Sequence, residues 1–143
     1  MKLSPILDIV HSGMGILLFS LAILSVIFAV LIAVKPAADP ANEGLLRKAN
    51  SVGLVESLVA VIVTLTGVIM VFVGPWSFSE LWLWMSLLTM AFYSAALFFI
   101  TTPARLLVAK DGSAVKCGMQ VALQIGHVLL LIFASALMLL KPL

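Results

Sequence analysis

The sequence is short of charge, because Asp, Glu, Lys and Arg make up only 10% of its 143 residues, against about 25% in soluble domains. Its hydrophobic content of 64% and mean hydropathy of +1.29 exceed what a soluble chain of this length can bury, since roughly a third of the unfolded surface stays exposed after folding. A net charge of +2 is too small for a nucleic-acid-binding surface. These shortages exclude a soluble enzyme, a nucleic-acid-binding protein and a disordered chain, and indicate an integral membrane protein.

Residues with recognisable chemistry are also scarce. The single cysteine, Cys117, excludes an internal disulfide, and we expect it to be a small buried hydrophobe. The C-x-x-C, H-E-x-x-H, G-x-G-x-x-G and phosphate-binding-loop patterns are absent. Two separated histidines and one cysteine are too few for a metal site, and the scattered methionines give no local support for Cu(I) binding. We therefore predict no metal site.

Four apolar runs each approach the ~20 residues that cross about 30 Å of hydrocarbon. Open sheet edges cannot face lipid, so the runs predict helices, at about 6–34, 52–73, 81–102 and 118–140. The first run is too long for the apolar part of a cleaved signal peptide, so we expect it to be retained. The short connections make successive helices antiparallel. The prediction is an all-α, up-down four-helix bundle, a single transmembrane domain over residues 1–143.

Basic residues are unevenly distributed between the two sides of this bundle. The first and third connections hold six lysines and arginines, Arg105 among them, and the other side holds two. By the positive-inside rule the first and third connections face the cytoplasm, and both termini lie on the non-cytoplasmic side, as expected in a bacterial inner membrane. Trp76, Trp82 and Trp84 cluster at the opposite hairpin, as an interfacial aromatic belt would.

Polar residues within the spans are candidate functional residues, because charged groups in hydrocarbon cost a few kcal/mol. By the helical rise, Glu56 lies roughly 12 Å and His127 roughly 16 Å from the basic end of its helix, so the two share a level and can pair. Gln120, Gln124 and His127 form one stripe, which predicts either a polar lining for a proton path or cofactor, or a packed seam. Ser86, Thr89 and Tyr93 follow a similar spacing, typical of packing contacts.

A second stripe on the fourth helix consists of Gly118, Ala122 and Gly126. Small residues at this spacing let two helices approach closely in lipid. This stripe predicts a face through which the chain associates with itself or with other membrane subunits, in addition to its contact with the lipid bilayer.

His11 lies near the outer interface, about 20 Å above the level of His127. A helix tilt of ~20° cannot absorb that offset, so the two histidines are not expected to share one haem iron. Asp8 lies one helical turn before His11, and the pair either hydrogen-bonds or reaches out to the interface.

The layout resembles a group of small four-helix bacterial membrane proteins, the HemJ-type protoporphyrinogen oxidases and copper-resistance-D-like domains. The similarity lies in Ile9-Val10-His11, the region of Gly67, Trp82-Leu83-Trp84 and the terminal Leu140-Lys141-Pro142-Leu143. It implies a role in haem binding for His11. A lysine of the oxidases would fall near Ser86, where this chain has none, so we do not expect oxidase activity.

Three functions remain open at this point. The first is an accessory or assembly subunit of a larger membrane complex, because the connections are too short for a catalytic domain and the polar groups too few for a complete site. The second is a b-type haem- or porphyrin-handling redox protein using His11. The third is a proton or small-solute transport module using Glu56, Gln124 and His127, which would require an oligomer.

Overall fold

The computed structural model describes residues 3–35, 39–74, 76, 78–111 and 114–140. These form α1 (Leu3–Ala33), α2 (Ala41–Val73), α3 (Leu81–Ala96), a π-helical turn (Leu97–Thr101), α4 (Thr102–Asp111) and α5 (Ala114–Leu140). Four stretches are long and apolar enough to cross a membrane: Pro5–Ala33, Ala41–Val73, Leu81–Leu106 and Cys117–Leu140. The predicted all-α, up-down four-helix bundle with four apolar spans is confirmed.

The four spans are arranged around a shared core. Helix α1 packs against α2 and α5, and α3 packs against the same two helices, so α2 and α5 lie diagonally across the bundle. Small residues in the core, such as Ala22, Ala60 and Ala134, let the helices approach closely. Close packing stabilises helix association in a membrane, because apolar side chains gain little free energy by moving from lipid into the protein core. Large apolar residues such as Leu88 and Phe99 are exposed on the outside of the bundle, as lipid-facing residues of membrane spans are.

Helix α2 begins well before the predicted boundary near residue 52. It starts at Ala41, whose backbone N–H donates to Oδ1 of Asp39 at 2.9 Å, and the carboxylate thereby satisfies one of the free donors of the first turn. An exposed pair, Glu43 with Arg47 at 4.0 Å, supports the following turn. Residues 41–51, which were expected to belong to the first connection, therefore form a polar extension of the second span.

The third span also continues beyond its predicted end at residue 102, through the π turn and into α4. Buried positions along it recur every four residues, at Tyr93, Leu97, Thr101 and Arg105. In a straight α-helix, residues four positions apart point in directions that differ by about 40°, so over the three steps from Tyr93 to Arg105 the direction would change by about 120°. The π turn contains more residues per turn than an α-helix, so it reverses part of this change in direction and keeps the four side chains on one face. Pro103, which has no N–H to donate, follows just after the π turn, where the regular α-helical hydrogen-bond pattern is already interrupted.

Candidate functional site

A fully buried carboxyl group lies in the bundle interior, on α2. Glu56 has no exposed surface, and each of its carboxyl oxygens accepts one hydrogen bond. The Ser25 hydroxyl of α1 donates to Oε1 and the Tyr93 hydroxyl of α3 donates to Oε2, both at 2.7 Å. Three helices thus converge on one ionisable group, which satisfies hydrogen bonds that lipid could not supply.

A buried cation lies one helical turn away from this carboxyl group. Arg105 of α4 is only 3% exposed, and its guanidinium rests directly on Gly53, where a β-carbon would overlap it. Because Gly53 precedes Glu56 by one turn of α2, the guanidinium on Gly53 lies near the carboxyl group. Among the described residues no direct ion pair joins the two. The guanidinium and the carboxyl group therefore lie near each other without forming a salt bridge.

His127 of α5 belongs to the same interior group of residues. Its Nε2 and the hydroxyl of Thr101 are 2.7 Å apart, and its ring packs edge-on against Tyr93 with centroids 4.6 Å apart. Direct pairing of Glu56 with His127, one outcome anticipated from their shared depth, is not formed. The two residues come from diagonal helices, and the side chain of Tyr93 fills the space between them.

Below Glu56, towards the α4–α5 connection, the helices enclose a cavity of about 10 Å³. Its polar lining comes from Ser25, Arg105, Gln120 and Gln124, and Cys117 lies beside them, buried as expected. Four atoms here have no hydrogen-bond partner among the described residues: Nη2 of Arg105, both amide atoms of Gln120 and Oε1 of Gln124. A space for about one water molecule, with donors and acceptors around it, suits an ordered water.

We refer to these interior residues as the polar cluster: Ser25, Glu56, Tyr93, Thr101, Arg105, Gln120, Gln124 and His127. Sequence analysis singled out Glu56, Gln120, Gln124 and His127, and the structure places all four among the buried polar residues.

The other members of the polar cluster were missed or assigned elsewhere. Tyr93 was interpreted as a packing residue, and Arg105 was counted with the basic residues of a cytoplasmic loop. Its inward position reduces the basic asymmetry from six against two to five against two, which predicts the same orientation. Ser25 and Thr101 carry no sequence signal of their own, since hydroxyl residues are common in apolar helices.

A larger cavity of about 430 Å³ opens near the end of the bundle where α1 begins and α2 ends. We call it the chamber. His11 lines it, with Nδ1 2.8 Å from the Thr66 hydroxyl, and its ring lies over Gly67, where a β-carbon would be 3.2 Å from Cε1. Asp8 lines it as well.

The chamber and the polar cluster are separate sites. Leu18, Val63 and Leu131 line the chamber and also pack in the core cluster that contains Tyr93, so they form an apolar layer between the two.

Three methionines that are far apart in sequence, Met70, Met90 and Met138, line the chamber together. They come from three different helices, which is why their sequence positions appeared scattered. No group of three or more His, Cys, Asp or Glu side chains is placed to hold a metal ion within the described ranges.

The small-residue stripe of α5 lies mainly on the outside of the bundle. Gly118 and Ala122 are exposed and Gly126 is half-buried. A β-carbon at Gly118 or Gly126 would meet no other described atom within 4 Å. The stripe therefore does not mediate packing within this chain.

No family model, curated protein or solved structure matches the chain. The polar cluster and the chamber are therefore the features of the chain that point to its function.

Proposed function

We propose that this four-span membrane protein is a proton or small-solute transport module in which Glu56 binds and releases a proton. The observation that carries the proposal is the zero exposure of the Glu56 carboxyl group within apolar spans, held by two hydroxyls beside a buried arginine. Ionisable side chains are costly at this depth, and those that occur commonly serve ion or proton pathways.

The surroundings of Glu56 suit both of its protonation states. The Ser25 and Tyr93 hydroxyls can donate to a carboxylate, and either one can rotate to accept a proton from the neutral acid. Arg105 compensates the charge of the carboxylate, while its lack of direct contact avoids locking the ionised form in place. A group that alternates between two states requires an environment of this kind.

A path to one end of the bundle follows from the same contacts. Ser25 both bonds Glu56 and lines the small cavity that contains Arg105, Gln120 and Gln124. In the other direction, the apolar layer formed by Leu18 and its neighbours separates Tyr93 from the chamber. We infer a gated path, open to polar groups on the side of Ser25 and closed by this layer on the side of the chamber.

The accessory-subunit interpretation depended on the short connections and on a shortage of polar groups, and the polar cluster weakens the second of these reasons. One observation still favours association with another helix, namely the outward-facing Gly118 and Ala122. Association is compatible with transport, because the stripe lies on the outside of the bundle and leaves the interior polar cluster unchanged. We retain it as a second proposal about assembly.

The haem alternative finds only partial support in the chamber. The contact of His11 with Thr66 would orient the imidazole, as in many iron-binding histidines. The two carboxylates of a haem, however, call for cationic partners, and no Lys or Arg is among the described lining residues, whereas Asp8 is. The described part of the lining thus offers the carboxylates of a dicarboxylate porphyrin no cationic partner.

The transport proposal is tested by reconstituting the purified protein in liposomes that contain a pH-sensitive dye, under an imposed membrane potential. We expect proton flux above that of empty liposomes, and at least a tenfold loss in Glu56→Gln, which keeps the shape of the side chain. Glu43→Gln, at an exposed position of the same helix, is the matched control and should keep full flux. Wild-type flux equal to that of empty liposomes, or an active Glu56→Gln protein, contradicts the proposal.

A further inference from the structure

The lining of the chamber has a distinct chemical character. Two tryptophans form part of its wall, Trp76 and Trp82, with their rings edge-to-face at a centroid distance of 6.3 Å. Met70, Met90 and Met138 add polarizable thioethers. Its volume of about 430 Å³ falls within the range of roughly 300–1,000 Å³ that is typical of small-molecule sites.

The charge of the lining is one-sided. Asp8 is a carboxylate, and the described lining holds no lysine or arginine. The other titratable lining residue, His11, is hydrogen-bonded to the Thr66 hydroxyl rather than to Asp8. A second carboxylate lies next to the wall, since Glu80 accepts a hydrogen bond from the indole N–H of Trp82. The faces of the indole rings carry negative charge density as well. The chamber is therefore matched to positive charge.

The rest of the lining decides what kind of cation fits. Leucine, valine and methionine side chains dominate the wall and offer little to replace the water shell of a small metal ion. An organic cation is weakly hydrated and gains from contact with apolar and aromatic surface. An anion of the same shape would be repelled by the carboxylate and by the negative faces of the rings.

We propose that the chamber binds a hydrophobic organic monocation, with Asp8 as its charge partner and Trp76 and Trp82 as its aromatic partners. This binding does not depend on proton transfer at Glu56, because the apolar layer of Leu18, Val63 and Leu131 separates the two sites. The two proposals can therefore fail independently.

The test uses two probes of equal shape and opposite charge, tetraphenylphosphonium and tetraphenylborate. Binding is measured by equilibrium dialysis of the protein in a non-ionic detergent, with empty micelles as background. We expect saturable, one-to-one binding of tetraphenylphosphonium, at least tenfold tighter than that of tetraphenylborate. Asp8→Asn should weaken binding of the phosphonium at least tenfold and reduce the preference between the two probes.

Two glycines on α1 allow a matched test of whether the cation binds in the chamber. Gly15 lines the chamber, whereas Gly13 is exposed, and a β-carbon at either would meet no described atom within 4 Å. Gly15→Leu should fill part of the chamber and abolish phosphonium binding. Gly13→Leu makes the same change two positions away and should bind like the wild type.

Three results would each overturn the cation site: binding no greater than that of empty micelles, equal or tighter binding of tetraphenylborate, or unchanged binding in both Asp8→Asn and Gly15→Leu. Glu56→Gln should bind the phosphonium as well as the wild type does. A loss of proton flux in that variant with intact binding therefore separates the two proposals.

Discussion

The hydroxyl of Tyr93 donates a 2.7 Å hydrogen bond to Oε2 of Glu56, from a helix on which nothing in the local sequence marks Tyr93 as more than a packing residue. The same side chain places its ring edge-on against His127. Tyr93 therefore connects the two titratable residues, Glu56 and His127, whose shared depth had indicated a possible direct pair. Any coupling between Glu56 and His127 should pass through this tyrosine.

Removing the Tyr93 hydroxyl should be costly. Tyr93→Phe keeps the ring against His127 but leaves one carboxyl oxygen of Glu56 without its donor, so we expect a loss of about 1.5–3 kcal/mol in unfolding free energy. In a double-mutant cycle with Glu56→Leu, which removes the acceptor, the two losses should be non-additive by about 0.5–3 kcal/mol. Unfolding in detergent, followed by circular dichroism, measures both quantities. Strictly additive losses would show that the contact contributes nothing.

The second donor to Glu56 can be tested against a serine of the same helix. Ser25→Ala removes the hydrogen bond to Oε1 and should destabilise the protein by about 1–3 kcal/mol. Ser20 is exposed and bonds only its own helix backbone among the described contacts, so Ser20→Ala should change stability by less than about 0.5 kcal/mol. Equal effects of the two substitutions would contradict the role of Ser25.

Gly53 makes room for the guanidinium of Arg105, and this prediction has a matched control in the same helix. Gly53→Ala places a β-carbon where the buried guanidinium lies, and we expect a loss of about 1–3 kcal/mol because Arg105 must move within a packed interior. Gly44→Ala meets no described atom within 4 Å and should stabilise α2 by about 0.5–1 kcal/mol. Thermal unfolding of the two variants should therefore shift in opposite directions.

The outward stripe of α5 should control association. Replacing Gly118 and Ala122 with isoleucine blocks close approach of a second helix, so we expect oligomers in mild detergent to dissociate to monomers. Ala91→Ile, at an exposed position of α3, should leave the native mass unchanged. A wild-type protein that is already monomeric by native mass spectrometry would show that the stripe has no role in self-association.

Orientation in the membrane stays a prediction from the distribution of basic residues. Asp111→Cys at the end of α4 should react with an impermeant thiol reagent only from the cytoplasmic side, and Phe78→Cys at the opposite end only from outside. Cys117 is buried and should contribute little background. Labelling of Asp111→Cys from the exterior would reverse the assignment.

The sequence determined the class of protein and the levels of its polar groups. Four runs of this length and apolarity have no alternative to helices in lipid, because backbone groups there must bond within their own segment. The rise per residue was enough to place Glu56 and His127 at a similar depth, since depth along a straight helix depends only on residue number. The burial of Gln120, Gln124 and His127 follows from their regular spacing on α5.

Only the tertiary structure decided which side chains meet at that depth. The π turn at Leu97–Thr101 turns Thr101 and Arg105 towards the interior, although α-helical periodicity would rotate them away from the face of Tyr93. The diagonal placement of α2 and α5 then sets Tyr93 between Glu56 and His127. Periodicity describes one regular helix at a time, whereas the partner of a buried charge depends on where a helix deviates from regularity and on which helices become neighbours.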